Sequence, residues 1–117
     1  MIGYAPRKYT PVTDVTPYEK MINQYCRKFG ISIEQLRSKY ETRMPVRRIG
    51  GIRLDEMRRC LSLHFFENTY LSTPQIAELV GCRNHTSVLS QVTQAKGHRE
   101  YNDQIFMNYY NVLKEVI

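Results

Sequence analysis

Five polar residues stand together just before an apolar-periodic segment, in the stretch GCRNHTSVLSQV at positions 81 to 92. They offer a cation, an amide, an imidazole and two hydroxyls: Arg83, Asn84, His85, Thr86 and Ser87. Side chains of these types serve a metal centre, a nucleophilic active site, a helix cap or a surface that binds an anion. The rest of the sequence helps to decide among these four.

The sequence around this stretch gives little support for a metal site or an enzyme active site. Cys82 and His85 form a CxxH pair, but a zinc site needs a second pair at a matching distance, and the sequence has none. A catalytic triad needs a buried acid, and none is suggested near Ser72, Thr86 or Ser87. We therefore predict no metal, no cofactor and no enzymatic activity.

Two predicted helices place the polar stretch at the start of the second one. The segment PQIAELVG ends on a glycine, which is typical of a helix terminus. A longer helix begins near Asn84 or His85 and is predicted to stop at Gly97. Its inward side is predicted to comprise Val88, Leu89, Val92 and Ala95. This spacing fits a helix-turn-helix, whose second helix enters the major groove of DNA by its N-terminal end.

Each polar residue at that helix start has a role available on DNA. Asn84 can pair with an adenine edge, and Arg83 can reach guanine or a phosphate. Thr86 can place its methyl group against a thymine methyl, and His85 can donate to a base or a phosphate oxygen. Ser87 adds a hydroxyl where free backbone amides also favour phosphate. The competing interpretation is that Asn84 is a plain N-cap, which at helix starts is at least as common as a base contact.

A second candidate surface is basic. Between positions 43 and 59 the chain has two acidic residues, Asp55 and Glu56, and six arginines. The arginines are Arg43, Arg47, Arg48, Arg53, Arg58 and Arg59. Over the whole chain, lysine and arginine exceed the acidic residues by 17 − 11 = 6, and the sequence pI is about 9.4. This balance makes a polyanion a reasonable partner. The arginines taken alone fit an ordinary solvated face equally well.

Six helices are predicted to position these residues, with Pro or Gly at several boundaries. They cover about 16–29, 33–40, 53–67, 74–80, 84–96 and 102–116. Capping boxes are predicted for Thr16 with Glu19 and for Ser32 with Gln35. Thr73 is predicted to cap the fourth helix, and Ser72 with Gln75 offers a competing capping box. The last helix is predicted to bury Ile105, Phe106, Tyr109, Val112, Leu113 and Val116.

The predicted organisation is one all-α domain, a bundle of about six helices with a helix-turn-helix, over positions 16–117. Positions 1–15 are predicted to be a flexible N-terminal arm. No stretch has the pattern of a strand, and positions 41–52, with the pair Gly50-Gly51, are predicted to form a basic loop.

Cysteine usage and hydropathy point to the cytoplasm. Cys26, Cys60 and Cys82 are odd in number and far apart, which favours free, buried thiols in a reducing compartment. No apolar run approaches the roughly 18 residues that a membrane span needs. The N-terminal stretch lacks the continuous apolar segment of a secretory signal.

The stretch LSTPQIAELVGCRNHTSVLSQV, positions 71 to 92, resembles the signature of a known family. It is similar to the C-terminal DNA-binding domain (domain IV) of the bacterial replication initiator DnaA. That family has a Ser-Leu-Pro-Glu-Ile-Gly start and a Gly-Gly-Arg-Asp-His-Thr-Thr-Val core, and the match runs without a gap from Ser72 to Val88. ISIEQLRSKY also resembles the short helix before the family's basic loop, and the resemblance covers about residues 16 to 116.

The resemblance implies a Trp-repressor-like domain that binds an AT-rich DnaA box as a monomer, in replication or transcription control on the nucleoid. The family's major-groove segment corresponds to Arg83, Asn84, His85, Thr86 and Ser87. Its minor-groove arginine best matches Arg53, with Arg47 and Arg48 as rivals that are otherwise expected on phosphates. The start of the first motif helix would also contact phosphates, through Ser72, Thr73 and Gln75.

The chain departs from the family pattern in three places. Asn84 replaces an aspartate, which exchanges an acceptor for a group that both donates and accepts and suits adenine better. Leu54-Asp55-Glu56 replaces Pro-Arg-Gln, so the phosphate contacts of that segment are not expected here. The chain also lacks a GxxxxGK motif followed by Ser or Thr, so we predict no nucleotide site.

Two other function classes remain open. The chain could be a helical protein-interaction module whose basic face is incidental, and salt would discriminate, because affinity for DNA falls steeply with ionic strength. It could also be an RNA-binding module. The strand aromatics of an RRM and the GXXG of a KH domain are both missing, although Tyr4 and Tyr9 remain open as stacking residues.

Overall fold

Six α-helices form in the computed structural model, which describes residues 14–37, 47–82 and 84–117. They are α1 (Thr16–Lys28), α2 (Ile33–Arg37), α3 (Leu54–Asn68), α4 (Thr73–Val80), α5 (His85–Glu100) and α6 (Gln104–Val116). The prediction of an all-α fold is confirmed. Most of the predicted arm, the end of the second helix and the first half of the basic loop lie outside the described residues.

Helix α3 lies at the centre and packs against α4, α5 and α6. A helix that is covered on several sides must be apolar on several sides. Accordingly α3 buries apolar residues around its circumference, namely Leu54, Met57, Cys60, Leu61, Leu63 and Phe65. It also buries Glu56, Arg58 and Ser62, so polar groups enter the core beside the site described below.

Helix α1 starts without the predicted capping box. Thr16 is already the first helical residue, its amide donates to Asp14 Oδ1 at 3.0 Å, and the N-cap residue Val15 has no side-chain hydrogen bond. Glu19 does not turn back to the backbone, because its carboxylate pairs with Arg37 of α2 at 3.3 Å. The prediction for Thr16 and Glu19 was wrong because a tertiary ion pair took the carboxylate.

Helix α2 is capped as predicted and is held by two arginines. Ser32 and Gln35 exchange hydrogen bonds of 2.8 and 3.0 Å in a capping box. Arg58, buried in α3, donates from Nε and Nη2 to the carbonyl of Leu36 at 3.0 and 2.6 Å. Burial lowers the pKa of Arg58, and the two bonds compensate part of that desolvation. Arg37 links α2 to α4, because its Nε donates to the carbonyl of Leu79 at 2.7 Å.

A short β-hairpin precedes α3, although no strand was predicted. Strands β1 (Arg48–Ile49) and β2 (Ile52–Arg53) pair antiparallel around the Gly50-Gly51 turn, and Arg48 lies opposite Arg53. Gly50 has a φ of +58°, a conformation that glycine adopts without a steric cost. Strands of two residues are too short to show the alternating pattern by which a sequence reveals a strand.

Helix α5 runs past the predicted stop at Gly97 and ends at Glu100. Arg99, in the extension, binds Glu67 of α3 through two hydrogen bonds of 2.7 and 2.9 Å. A bidentate arginine–carboxylate pair is among the stronger polar contacts in proteins. This pair opposes the propensity cost of the glycine inside the helix, which is about 1 kcal/mol.

The Arg99–Glu67 pair predicts acid sensitivity. The hydrogen bond from Arg99 holds the pKa of Glu67 below its usual range. A lowered folded-state pKa contributes stability above the unfolded-state pKa, and that contribution is lost as the pH falls through the folded-state value. We expect Glu67→Gln to lower Tm at pH 7 and to lower it less at pH 3, as measured by circular dichroism.

The control for this prediction is Glu115→Gln, since Glu115 forms a longer and more exposed pair with Lys28 at 3.7 Å. Exposed pairs of this kind contribute little, so this variant should change Tm little at either pH. An equal loss of Tm at pH 7 and pH 3 in Glu67→Gln would contradict the assigned role of the ion pair.

Two side chains predicted to face the core lie on the surface. Leu89 of α5 is 45% exposed and Ile105 of α6 is 47% exposed. The predicted free cysteines, in contrast, are confirmed as buried. Burial raises the pKa of the Cys26 thiol to about 11, so this group is a poor nucleophile at neutral pH.

Candidate nucleic-acid interface

The first helix of the predicted motif begins with a complete capping box. Ser72, not Thr73, is the N-cap: its Oγ accepts from the amide of Gln75 at 3.2 Å, and the Gln75 Oε1 accepts from the amide of Ser72 at 3.0 Å. Thr73 is the first helical residue, so the competing prediction is the correct one. The box does not involve the Thr73 hydroxyl, and the predicted phosphate contact of Thr73 stays a prediction.

The turn between α4 and α5 depends on Gly81. This residue ends α4 with a φ of +81°, and its amide donates to the carbonyl of Ala77 at 3.0 Å. A Cβ at this position would lie 2.6 Å from the Cα of Arg37, so the chain passes very close to α2. The next residue, Cys82, is buried. The turn is therefore anchored on both sides, which sets where α5 begins.

Helix α5 opens with Asn84 as its N-cap. The Asn84 Oδ1 accepts from the amide of Ser87 at 3.0 Å and lies 3.3 Å from the Ser87 Oγ. The predicted N-cap role of Asn84 is thus confirmed, and its predicted base contact stays a prediction. An amide oxygen accepts two hydrogen bonds, so a two-bond contact to adenine would require Oδ1 to give up the bond from the Ser87 hydroxyl but not the cap bond from the Ser87 amide. The Nδ2 amide of Asn84 can reach a base without any such change.

The next residues of α5 are open to solvent. Asn84, His85 and Thr86 are exposed, and Ser87 is half-buried. The side chains that were predicted to read bases therefore form the surface of the first helical turn. Arg83 lies outside the described residues, and its predicted base contact stays a prediction.

A groove of about 570 Å³ runs between α5 and the start of α3. On the α5 side it is lined by polar residues: Asn84, Thr86, Ser87, Ser90, Gln91 and Gln94. On the other side it is lined by Arg47, Asp55, Arg58 and Arg59. The fold thus brings three of the major-groove candidates, Asn84, Thr86 and Ser87, together with Arg47, one of the predicted backbone-binding arginines. Other candidates lie off this lining, namely Arg48, Arg53, His85 and the cap residues of α4.

Arg53 and Arg59 are held by a pair of carboxylates. The Arg53 guanidinium lies 3.3 Å from Asp55 and 3.9 Å from Glu56, and the hydrogen bond to Asp55 raises its pKa. Arg59 lies 2.8 Å from Glu56 and donates from Nε to the Gln94 Oε1 at 2.9 Å. The buried Glu56 therefore orients both arginines, and the nearby carboxylates neutralise part of the charge of each guanidinium.

Arg47 and Arg48 are exposed, in contrast to Arg53. Within the part of the chain that the structure describes, neither forms an ion pair with a carboxylate. Arg47 also ties the hairpin to α3, since its carbonyl accepts from the amide of Leu54 at 2.8 Å. Arg53, in contrast, would have to release its guanidinium from Asp55 before that group could contact another anion.

Residues that the sequence had not singled out complete the groove. Arg59 was noted only as one member of the arginine cluster, and its contact with Gln94 depends on how α3 packs against α5. Ser90, Gln91 and Gln94 follow Ser87 at i+3, i+4 and i+7, which is one polar face of a helix. That periodicity was visible in the sequence.

Other kinds of site find no support among the described residues. No three His, Cys, Asp or Glu side chains lie close enough there to hold a metal ion. No helix in residues 14–37, 47–82 and 84–117 combines the length and apolarity needed to cross a membrane. Comparison of the chain with protein-family models, with curated proteins and with solved structures gives no match.

Proposed function

We propose that the protein binds duplex DNA in a sequence-specific manner, with the N-terminal turn of α5 in the major groove. One observation carries the proposal: the exposed side chains of Asn84 and Thr86 at the start of α5 share one groove with the exposed Arg47. A helix start in the major groove with basic side chains beside it is how helix-turn-helix proteins combine base reading with phosphate contacts.

The charges around the groove support an anionic ligand. Three arginines and one aspartate line it, so its charge is positive even though Asp55 offsets part of it. The start of α5 adds a partial positive charge, because the first amides of a helix point outward. A DNA backbone that crosses this groove would be attracted by the arginines and by the start of α5.

The sequence resemblance suggests which site the protein reads. We propose a DnaA-box-like duplex, bound by a monomer in the cytoplasm on the nucleoid. The protein would then serve replication or transcription control of a phage, a mobile element or a bacterial chromosome. Asn84 in place of the family's aspartate predicts an altered base preference at the step that it faces.

The test is a fluorescence-anisotropy titration of a labelled duplex with a DnaA box of the TTATCCACA type, against a scrambled duplex, at several salt concentrations. Box-selective binding supports the whole proposal. Salt-sensitive binding without selectivity supports DNA binding at another site, which a random-sequence selection would then identify. No binding to either duplex overturns the proposal and favours a protein partner, and competition by RNA of the same sequence tests the RNA alternative.

A pair of arginine variants tests the backbone contacts. We expect Arg47→Ala to weaken DNA binding more than Arg53→Ala, because Arg47 is exposed while Arg53 is paired with Asp55 at 3.3 Å. If Arg47 neutralises a phosphate, its removal should reduce the slope of log affinity against log salt by about 0.9. Loss of affinity confined to duplexes with a narrow, AT-rich minor groove would place the side chain in that groove instead. A larger loss in Arg53→Ala would reverse the assignment.

A further inference from the structure

A cluster of four charged side chains lies where the hairpin meets α3. It comprises two cations and two carboxylates, namely Arg53, Asp55, Glu56 and Arg59. The Asp55 Oδ2 lies 3.3 Å from the Arg53 Nη2 and 3.8 Å from the Arg59 Nη1. Glu56 lies 2.8 Å from Arg59 and 3.9 Å from Arg53. Each arginine therefore contacts both carboxylates, and the four charges cancel.

The contact between Arg53 and Asp55 leaves part of each group unused. One nitrogen and one oxygen form it, at 3.3 Å. The Arg53 Nε and the Asp55 Oδ1 are buried and have no hydrogen-bond partner in residues 14–37, 47–82 and 84–117. An arginine–carboxylate pair is strongest when two parallel hydrogen bonds form. The observed single bond is therefore weaker than such a pair, and an anion that offers two acceptors can compete with Asp55 for Arg53.

The two carboxylates differ in their access to the groove. The Glu56 side chain is only 4% exposed, and Glu56 is not among the residues that line the groove. Asp55 does line it, together with Arg47, and its side chain is 23% exposed. A phosphate bound in the groove would therefore meet a negative charge at Asp55, and Asp55 is also the residue that holds Arg53.

We propose that Asp55 limits the affinity of the protein for DNA, because its ion pair with Arg53 keeps that guanidinium off the phosphate backbone. The proposal rests on the proposed function and adds an autoinhibitory contact to it. Phosphate contacts carry no sequence information, so Asp55 restrains the part of the affinity that every duplex shares. The protein then binds with one cation fewer on the backbone than its arginines could supply.

The test is Asp55→Asn, which keeps the size of the side chain and removes its charge. We expect tighter binding to both the preferred and the scrambled duplex in anisotropy titrations. If Arg53 then neutralises one more phosphate, the slope of log affinity against log salt should become steeper by about 0.9. Between about 50 and 200 mM salt, the variant should therefore lose about 3.5-fold more affinity than the wild type does.

A double-mutant cycle identifies Arg53 as the released group. In an Arg53→Ala background, adding Asp55→Asn should leave the slope unchanged, because no arginine remains to be freed. Glu115→Gln is the matched control for net charge. Glu115 is paired with Lys28 on the surface and does not line the groove, so this variant should keep the wild-type slope.

The outcomes separate this inference from the proposed function. Weaker binding or an unchanged slope in Asp55→Asn overturns the role of Asp55 and leaves DNA binding intact. The same steepening with and without Arg53 also overturns it, because Asp55 would then act on the DNA through its own charge. Circular dichroism checks that each variant is folded, and Asp55→Ala repeats the test if Asp55→Asn is not. Failure of the wild type and all variants to bind any duplex overturns both.

Discussion

Thr86→Ala is expected to reduce affinity for the preferred duplex by about 5- to 150-fold, which corresponds to about 1–3 kcal/mol for a good base contact. Thr86 is exposed in the first turn of α5 and lines the basic groove, so its hydroxyl and methyl are both placed for a base edge. Weak binding to a scrambled duplex should persist, because phosphate contacts supply most of non-specific affinity. Anisotropy titrations with both duplexes measure the two effects together.

Thr93→Ala is the matched control for this prediction. Thr93 is an exposed threonine of the same helix, but its hydroxyl already bonds to the backbone carbonyl of Leu89 at 3.0 Å. Its loss should leave the ratio of specific to non-specific affinity nearly unchanged. His85→Ala should behave as Thr86→Ala does. If Thr86→Ala weakens binding to all sequences by the same factor, the residue contacts a phosphate and its assignment to a base is wrong.

Gly81→Ala is expected to destabilise the fold by more than about 2 kcal/mol. The backbone of Gly81 has a φ of +81°, and a left-handed conformation costs a residue with a Cβ about 1–2 kcal/mol. The new Cβ would also lie 2.6 Å from the Cα of Arg37. Since the obstructing atom belongs to the backbone, no side-chain rotation relieves the overlap, and α2 or the turn must move. Urea unfolding followed by circular dichroism measures the loss, and Tm should fall by roughly 10 °C.

Gly30→Ala separates the two causes. Gly30 also has a positive φ, +72°, but a Cβ there would meet no heavy atom within 4 Å. This variant should lose only the conformational part, about 1 kcal/mol. An equal loss of stability in the two variants would mean that the contact between the turn and α2 is not a tight constraint.

Much of the fold could be predicted from local patterns. Apolar residues at helical spacing predicted six helices, and α2 and α4 begin at capping boxes whose partners are three residues apart. These signals are local, because the residues that make the contact are also neighbours in the sequence. The predictions that failed depended on distant partners. Glu19 binds Arg37 and leaves its own helix start uncapped, and Arg99 binds Glu67 and draws α5 through Gly97.

The candidate site also combines features that the sequence predicts with features that depend on distant partners. Residue types and spacing in GCRNHTSV were enough to predict a polar helix start, and they offered the Asn84 cap as one of two interpretations. The ion pairing of the arginines does not follow from the sequence, because Arg53 and Arg59 are both oriented by the buried Glu56. A sequence shows how many cations it has, but not which of them already have a carboxylate beside them.

By itself, therefore, the sequence determined the helices, the position of the α4–α5 turn and the polar residues at the start of α5, because short-range periodicity and capping govern those features. The tertiary structure alone decided that Arg47 shares a groove with Thr86, that Arg53 is paired with Asp55, and that Leu89 faces outward. Each of these depends on how α3 and the hairpin pack against α5, and packing brings together side chains that are far apart in the sequence.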